Sequence, residues 1–273
     1  MTQLYISADI EGVAGVVNRD QAGNGCRDFS QGRQWMTDEV IAACEAARAR
    51  GIDRVVISDS HGTGDNILID QLPDYVEIVR SWPRELMMMQ GIECGEFLGA
   101  AFIGFHAGSR SAGGVLAHTM SGEIIELTLN GIVQSETTFN AALGGHFGVP
   151  LIMASGDDVY TRHVADAFPG VPTATVKWAH GVRSARTLTP RAACTLIGER
   201  MTEALNRAAM FKPMHLDGPI DVEIEFSTPL KAEVCSYVPT VERISSHRIK
   251  MLVEDMIAVS RFIALILQIK PSY

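Results

Sequence analysis

Short apolar runs recur along the chain, and four of them end in the same way. The runs LYISA, RVVI, FLGAAFIGF and PLIMA lead into the stretches DIEG, SDSHGTGD, HAG and SGDD. Continuous apolar runs of this length are typical of strands buried on both faces of a parallel sheet. In such sheets the ligand site lies just beyond the carboxyl ends of the strands, so the polar residues there are the first candidates for chemistry.

Helical patterns separate several of these runs. In TDEVIAACEAARARG, Thr37 is expected to cap a helix whose apolar positions repeat on one face until Gly51 ends it. A second helix is expected after Asp157 and Asp158, which suit a helix cap, and a third over residues 189–209. The succession of strands and helices predicts an α/β fold with a mostly parallel central sheet flanked by helices.

The pattern changes after residue 212. The stretch KPMHLDGPI is typical of a loop, and VEIEF and RIKMLV then alternate apolar and polar residues as half-exposed strands do. An amphipathic helix is expected from about Glu254. We therefore predict an α/β metal-site domain over residues 1–212 and a smaller α+β domain or extension over residues 213–273.

Composition and charge narrow the classes of function. The 273 residues are 47% hydrophobic, which provides ample core, and the net charge of -9 argues against a nucleic-acid partner. No signal-peptide pattern opens the sequence, and the longest apolar stretch, FIALILQI, is far shorter than the roughly 20 residues that span a bilayer. We expect a cytoplasmic protein that binds neither membrane nor nucleic acid. The five cysteines never occur as CxxC, so no cysteine-based zinc site is indicated.

The strand ends carry residues that suit a metal site. Asp9 and Glu11 follow the first run, His61 and His106 follow the next two, and Glu136 opens an expected helix. If the strand continues through Glu11, its alternation places both carboxylates on one face, about 7 Å apart. Imidazole and carboxylate together suit zinc or manganese rather than calcium. For each residue taken alone a plainer role stays open: a solvated loop, a structural imidazole or a helix first turn.

Charge favours two divalent ions over one. Two divalent ions carry four positive charges, and Asp9, Glu11 and Glu136 supply three negative charges. A bridging hydroxide can balance the one that remains. Ions in paired sites lie about 3.5 to 4 Å apart and commonly share a carboxylate. Asp9, the nearest to the body of the strand, is our candidate for that bridge.

Six segments carry a resemblance to a known family. In order and spacing, ADIEG, SDSHG, GFHAG, AHTM, ASGDD and TATVK followed by RSA resemble the bacterial zinc D-aminopeptidases of the dipeptide-transport operon type. The resemblance covers nearly the whole chain. It implies a two-zinc centre and a catalytic histidine, His118, that acts as base or nucleophile. The implied zinc ligands are Asp9, Glu11, His61, His106 and Glu136.

The same resemblance implies an activity and an assembly. Members release N-terminal D-amino acids from short peptides and form homo-decamers of two stacked five-membered rings. We therefore expect a metallo-aminopeptidase with a water activated by two metal ions, zinc first and manganese or cobalt as alternatives. Another metal-dependent hydrolase on the same site, whether an amidohydrolase, a deacetylase or a phosphatase, stays open. So does a non-catalytic ring-forming protein that binds peptides.

Other polar residues are expected to be structural. DIEGVAG stands where a dinucleotide-binding enzyme has GxGxxG, and its carboxylates would repel pyrophosphate. Asp59 is expected either to orient a ligand or to cap a turn, and Lys177 to be a solvated lysine at a strand end. Surface or structural roles are expected for His146, His163, His180, His215 and His247.

Overall fold

The protein is described here by a computed structural model covering residues 1–269. Twelve strands within these residues form two sheets. The strands are β1 (Gln3–Ala8), β2 (Arg54–Asp59), β3 (Val76–Val79), β4 (Phe97–Phe105), β5 (Ile124–Leu129), β6 (Ile132–Val133), β7 (Leu151–Asp157), β8 (Thr173–Gly181), β9 (Ser184–Thr187), β10 (Ile220–Phe226), β11 (Glu242–Arg243) and β12 (Arg248–Val253).

Seven α-helices connect or flank these strands in the described part of the chain. None of them is both long and apolar enough to span a lipid bilayer. The helices are α1 (Arg19–Ala22), α2 (Phe29–Ala49), α3 (Glu136–His146), α4 (Asp158–Ala167), α5 (Pro190–Asn206), α6 (Pro229–Cys235) and α7 (Met256–Gln268).

The larger sheet has the strand order β3-β2-β1-β4-β7-β8-β9 and is parallel except for β9. Its central strand β1 packs on both faces. Leu4, Ile6 and Ala8 join a core with α2 and α5, whereas Tyr5 joins a second core with α3, α7 and the smaller sheet. Strands covered on both faces explain the continuous apolar runs, and the predicted α/β fold with a mostly parallel sheet is confirmed.

The smaller sheet is antiparallel, with the order β11-β12-β10-β5-β6. Strands β10 and β12 alternate buried and more exposed residues, as their sequences predicted. Their neighbour β5 comes from the middle of the chain, and Ile224 pairs with Leu127. The residues after 212 thus share one sheet with the β5–β6 hairpin, and the division at residue 212 stays a prediction.

The predicted start of the first long helix is wrong. Helix α2 begins at Phe29, and Thr37 lies in its buried interior. Thr37 Oγ1 donates to Arg33 O (2.8 Å) and accepts from Leu68 N (3.0 Å), so the hydroxyl ties α2 to the chain after β2. A threonine within a helix can bond its own preceding turn in this way, which sequence alone does not distinguish from a cap.

Candidate metal centre

The carboxyl ends of three neighbouring strands meet at the candidate site. Strand β1 lies between β2 and β4, and Asp9, His61 and His106 follow these strands directly or within two residues. Strand β1 ends at Ala8, so Asp9 and Glu11 lie in the loop beyond it, and the expected strand alternation between them is wrong. The loop itself brings the two carboxylates together.

Close backbone contact with β4 shapes that loop. Asp9 N donates to Ile103 O (2.8 Å) and Gly12 N donates to Gly104 O (2.7 Å). A Cβ atom on Gly12 would lie 1.9 Å from Phe105 O, and Gly104 has a φ of +72° with no room for a Cβ beside Asp9 O. Glycine at both positions therefore lets the Asp9 loop lie against the strand that ends at His106.

The first cluster consists of Asp9, Glu11 and His61. His61 Nδ1 lies 3.1 Å from Asp9 Oδ1 and 2.9 Å from Glu11 Oε2. The other ring nitrogen of His61, Nε2, lies 2.6 Å from Ala22 O, to which it donates. All three residues can direct a ligand atom to one point.

The second cluster consists of His106, His118 and Glu136. Glu136 Oε1 lies 3.4 Å from His106 Nε2 and 3.7 Å from His118 Nε2. The two imidazole rings stack with centroids 4.1 Å apart and an angle of 13° between their planes. Glu136 is the first residue of α3, where Ser135 caps the helix, so its carboxylate lies at the positive end of that helix.

Asp9 links the two clusters. Its Oδ1 faces His61, and its Oδ2 lies 3.4 Å from His106 Nε2. The structure therefore brings together all six residues that the sequence singled out. Asp9 has the position that a carboxylate shared by two ions requires.

The donor atoms fit divalent cations. His106 Nδ1 lies 3.0 Å from Ala107 O and His118 Nδ1 lies 2.9 Å from Leu116 O. With one ring nitrogen of each histidine donating to a carbonyl, the other presents a lone pair to the carboxylates, an arrangement typical of metal ligands. Buried Glu11 Oε2 and His106 Nε2 have no hydrogen-bond partner. Lone pairs that face one another in this way repel unless positive charge lies between them.

The pKa values of Asp9 and His61 also indicate that the site favours positive charge. Burial alone would raise the pKa of Asp9, but the neighbouring imidazoles of His106 and His61 hold it well below its ordinary value. Burial lowers the pKa of His61, but the charge of Glu11 and the hydrogen bond to Asp9 raise it well above 6.5. Asp9 is therefore held in its ionised form, and its negative charge favours a cation in the site.

A strained loop carries His118. Leu116 and Met120, two residues to either side, have positive φ angles of 53° and 62°. Met120 N donates to Glu136 Oε1 (2.7 Å), and Val115 N donates to Asp157 Oδ2 (2.7 Å). Positive φ angles at such residues cost about 1 to 3 kcal/mol each and occur where the surrounding structure imposes them. Here these contacts fix the imidazole beside the second cluster.

Lys177 is buried rather than solvated, which corrects the sequence-based expectation. Its Nζ donates to the carbonyl oxygens of Glu11, Val13 (3.0 Å) and Val16 (2.5 Å). Burial lowers its pKa to about 8. In the sequence, Lys177 could be recognised only as a residue at the end of a buried strand. No local pattern indicated that the loop after β1 folds over it.

Glu39 in α2 supports the same loop. Its Oε1 accepts a hydrogen bond from Ala14 N (2.8 Å), and burial raises its pKa to about 7. No local pattern marked Glu39 in the sequence, because the loop it contacts lies 25 residues earlier. Glu39 and Lys177 together hold the loop that bears Asp9 and Glu11.

Asp59 and Asp157 act on the backbone. Asp59 accepts from Asn66 Nδ2 and Ile67 N, both at 2.7 Å, and so fastens the loop that carries His61. Asp157 caps α4 by accepting from Tyr160 N (2.8 Å) and holds the His118 loop with its other oxygen. His163 Nε2 lies 3.1 Å from Ser135 Oγ and so contacts the cap of α3. The other four histidines expected to be structural do not line the site cavity within the described residues.

A cavity of about 530 Å³ opens over the two clusters. Five of the six site residues line it, and His106 lies behind them with 2% of its surface exposed. The remaining walls come from the segment around Trp82–Met88, from Met120 and Ser121, and from the end of α7. The clusters are therefore buried among protein groups but reachable by a small molecule.

This geometry can be set beside known proteins. The family model for D-aminopeptidases matches residues 2–265. The chain belongs to the D-aminopeptidase family. This membership makes it an enzyme, a hydrolase of the protease class, and confirms the resemblance found in the sequence.

A comparison of sequences and a comparison of structures agree with this assignment. A D-aminopeptidase of Bacillus subtilis (strain 168) is 28% identical over 257 residues, which is 93% of each chain. The solved structure of the Zn-dependent D-aminopeptidase DppA from Bacillus subtilis, described as a self-compartmentalizing protease, superposes with a TM-score of 0.93 at 26% identity. That match covers 98% of this chain and 97% of the other.

Proposed function

We propose that this protein is a two-metal D-aminopeptidase that removes the N-terminal D-amino acid from short peptides. The position of Asp9 carries the proposal, because its two oxygens face two separate clusters of ligand atoms. The proposed ligands are Asp9, Glu11, His61, His106 and Glu136. Zinc is the proposed metal, since a Zn-dependent relative has the same fold and the ligands are imidazole and carboxylate.

Two ions held in these clusters would polarise the scissile carbonyl and lower the pKa of a water molecule toward neutrality. The ligand histidines take part through their orientation. Each donates one ring N–H to a backbone carbonyl, which fixes the ring and directs the other nitrogen toward the site. The burial of Asp9 and Glu136 excludes water that would compete for these positions.

His118 is the proposed proton carrier. Its side chain keeps 30% of its surface exposed, unlike the deeply buried ring of His106, and its Nε2 faces the second cluster. With Nδ1–H held by Leu116 O, Nε2 can accept the proton of the attacking water and pass it to the leaving amine. Its distance to Glu136 would also suit a metal ligand. Its exposure is the feature that favours proton transfer over a fixed role as ligand.

The substrate and the assembly are proposed from the relatives. Preference for D-residues follows the names of the family, of the similar Bacillus subtilis sequence and of the solved structure. The cavity of about 530 Å³ suits a short peptide end rather than a folded chain. We further propose a homo-oligomer, a decamer by the resemblance. Light scattering should then give about ten times the 29.6 kDa of one chain, and a monomer mass would contradict it.

Elemental analysis combined with a paired assay tests the function. The purified protein should contain about two zinc ions per chain and should hydrolyse D-Ala p-nitroanilide faster than L-Ala p-nitroanilide. Chelation should remove both the metal and the activity, and added zinc should restore them. If the protein binds two ions and hydrolyses phenyl phosphate but neither anilide, the site is that of a phosphatase. Bound metal without turnover of any substrate would favour a peptide-binding protein.

A further inference from the structure

The cavity over the metal ligands has two chemically different halves. One half consists of the ligand residues and His118. The other is mostly apolar and comes from three separate elements: the segment before and within Met87–Met89, the His118 loop and helix α7. Its apolar members are Trp82, Pro83, Met87, Met88, Met120, Ala264 and Leu267, and the same elements add the uncharged Ser81, Ser121 and Gln268.

Two contacts place the apolar half directly beside the clusters. Met88 O accepts a hydrogen bond from Ser60 Oγ (3.1 Å), and Ser60 precedes His61. Met120 N donates to Glu136 Oε1 (2.7 Å). The apolar residues therefore adjoin the first cluster at one end and the second cluster at the other.

Among the described residues, the one cation that lines the cavity is already engaged. Arg84 lines the cavity, but its guanidinium donates to Ser81 O (2.5 Å), Ser58 Oγ (2.9 Å) and Asp59 O (2.9 Å). It also lies 4.3 Å from the centre of the Trp82 ring, which orients that ring. Only 5% of Arg84 is exposed, so it serves the wall rather than a charged substrate group.

Helix α7 is fixed against the rest of the wall. Ser260 Oγ donates to Glu85 O (2.8 Å), and Asp255 caps the helix by accepting from Ala258 N (2.8 Å). Leu267 then lies at the cavity, whereas Leu265 on the same helix turns away with 49% of its surface exposed. Within residues 1–269, the end of α7 thus supplies a wall of fixed position without a charged side chain.

We infer that this apolar half is the specificity pocket for the N-terminal residue of the peptide, and that Leu267 sets the size of side chain it accepts. The inference rests on the proposed function. The side chain branches from the same carbon that carries the amine, so it must lie next to the ligand clusters. A pocket lined by thioether, indole and aliphatic groups accepts an uncharged side chain and disfavours an amine or a carboxylate that would lose its hydration.

The test compares Leu267→Ala with Leu265→Ala as a matched control on the same helix. We measure kcat/KM for D-Ala, D-Leu, D-Phe, D-Lys and D-Glu p-nitroanilides, which carry no second residue and so report only on the first. The unaltered protein should prefer the uncharged substrates at least tenfold. Leu267→Ala should raise the D-Phe to D-Ala ratio about tenfold, because the pocket gains the space of three carbon atoms, and Leu265→Ala should leave the ratio unchanged.

A binding measurement separates failure of the pocket from failure of the proposed activity. Calorimetry of D-Ala and D-Phe hydroxamates on the zinc-loaded proteins measures occupancy without turnover. Leu267→Ala should favour the D-Phe compound by about the same factor in this assay. An unchanged ratio in both assays, or equal shifts in the two variants, would overturn the inference. A change that occurs only when the second residue of D-Ala dipeptides is varied would assign the pocket to the leaving side and also overturn it.

Discussion

The two ligand clusters are built differently. In the first, Asp9 and Glu11 lie in a loop fastened from beneath by the buried Lys177 and Glu39. In the second, Glu136 lies at a capped helix start, and His118 lies in a strained loop that Asp157 holds at one point. The first cluster is almost closed, whereas the second includes a side chain that keeps 30% of its surface exposed. The site thus combines a closely enclosed cluster with a more accessible one, which suits the proposed division between metal ligands and a proton carrier.

The largest effect is expected from Asp9→Asn, because Asp9 belongs to the first cluster and also faces His106 of the second. A neutral amide cannot offer two anionic oxygens to two cations, so most bound metal and all measurable activity should be lost. Elemental analysis and the D-Ala p-nitroanilide assay measure the two outcomes, with exposed Asp20→Asn as the control. Full metal content in Asp9→Asn would show that the clusters do not share this residue.

His118→Ala should distinguish proton transfer from metal binding. Metal content should stay near that of the unaltered protein, while kcat falls at least about 100-fold, the scale of general acid-base catalysis. The exposed His180→Ala is the control and should have ordinary turnover. Loss of metal from His118→Ala would instead make His118 a ligand, and unchanged kcat would make it structural.

Asp157→Asn should loosen only the second cluster. The amide oxygen can still accept from Tyr160 N and cap α4, but the amide nitrogen would face Val115 N as a second donor. We expect kcat to fall about tenfold with KM and metal content little changed, since small misplacement of a catalytic group is costly. Asp158→Asn alters the neighbouring carboxylate, which accepts from Ala179 N and does not contact the His118 loop. Equal losses in both variants would contradict the assignment.

The smallest effect concerns the support of the first cluster and depends on pH. The pKa of Glu39 is raised from 4.5 to about 7 by burial, so the folded protein binds an extra proton between these values. The free energy of unfolding should therefore fall as pH rises through this window, by no more than about 3 kcal/mol. Denaturation at several pH values measures the slope, which Glu39→Gln should remove and the exposed Glu45→Gln should retain. An unchanged slope in Glu39→Gln would assign it to other groups.

Much of the site could be predicted because it follows strand ends. In a parallel sheet, the carboxyl ends of adjacent strands such as β1, β2 and β4 lie at the same edge, independently of the helices that connect them. This rule was enough to predict that Asp9, His61 and His106 lie close together. His118 could not be found in this way, since it lies in a loop with positive φ angles at Leu116 and Met120. Its prediction depended on the family resemblance.

Long-range pairing explains the rest. The β5–β6 hairpin pairs with β10 almost 100 residues later, and nothing local in IIELTL indicates that partner. Thr37 has the residue type of a cap but lies in the interior of α2, because the apolar face extends farther toward the N-terminus than the cap rule suggested. Lys177 was expected in solvent because lysine is rarely buried, and its burial depends on a loop more than 160 residues earlier.

The buried amine of Lys177 also allows the opening of the loop after β1 to be measured by chemical labelling. Its amine cannot react with an acylating reagent while Glu11, Val13 and Val16 enclose it, so labelling requires the loop after β1 to open. The exposed Lys212 reacts in every molecule and gives the reference rate. The ratio of the two labelling rates, followed by mass spectrometry with and without zinc, therefore measures how often the loop opens and how far metal binding slows it.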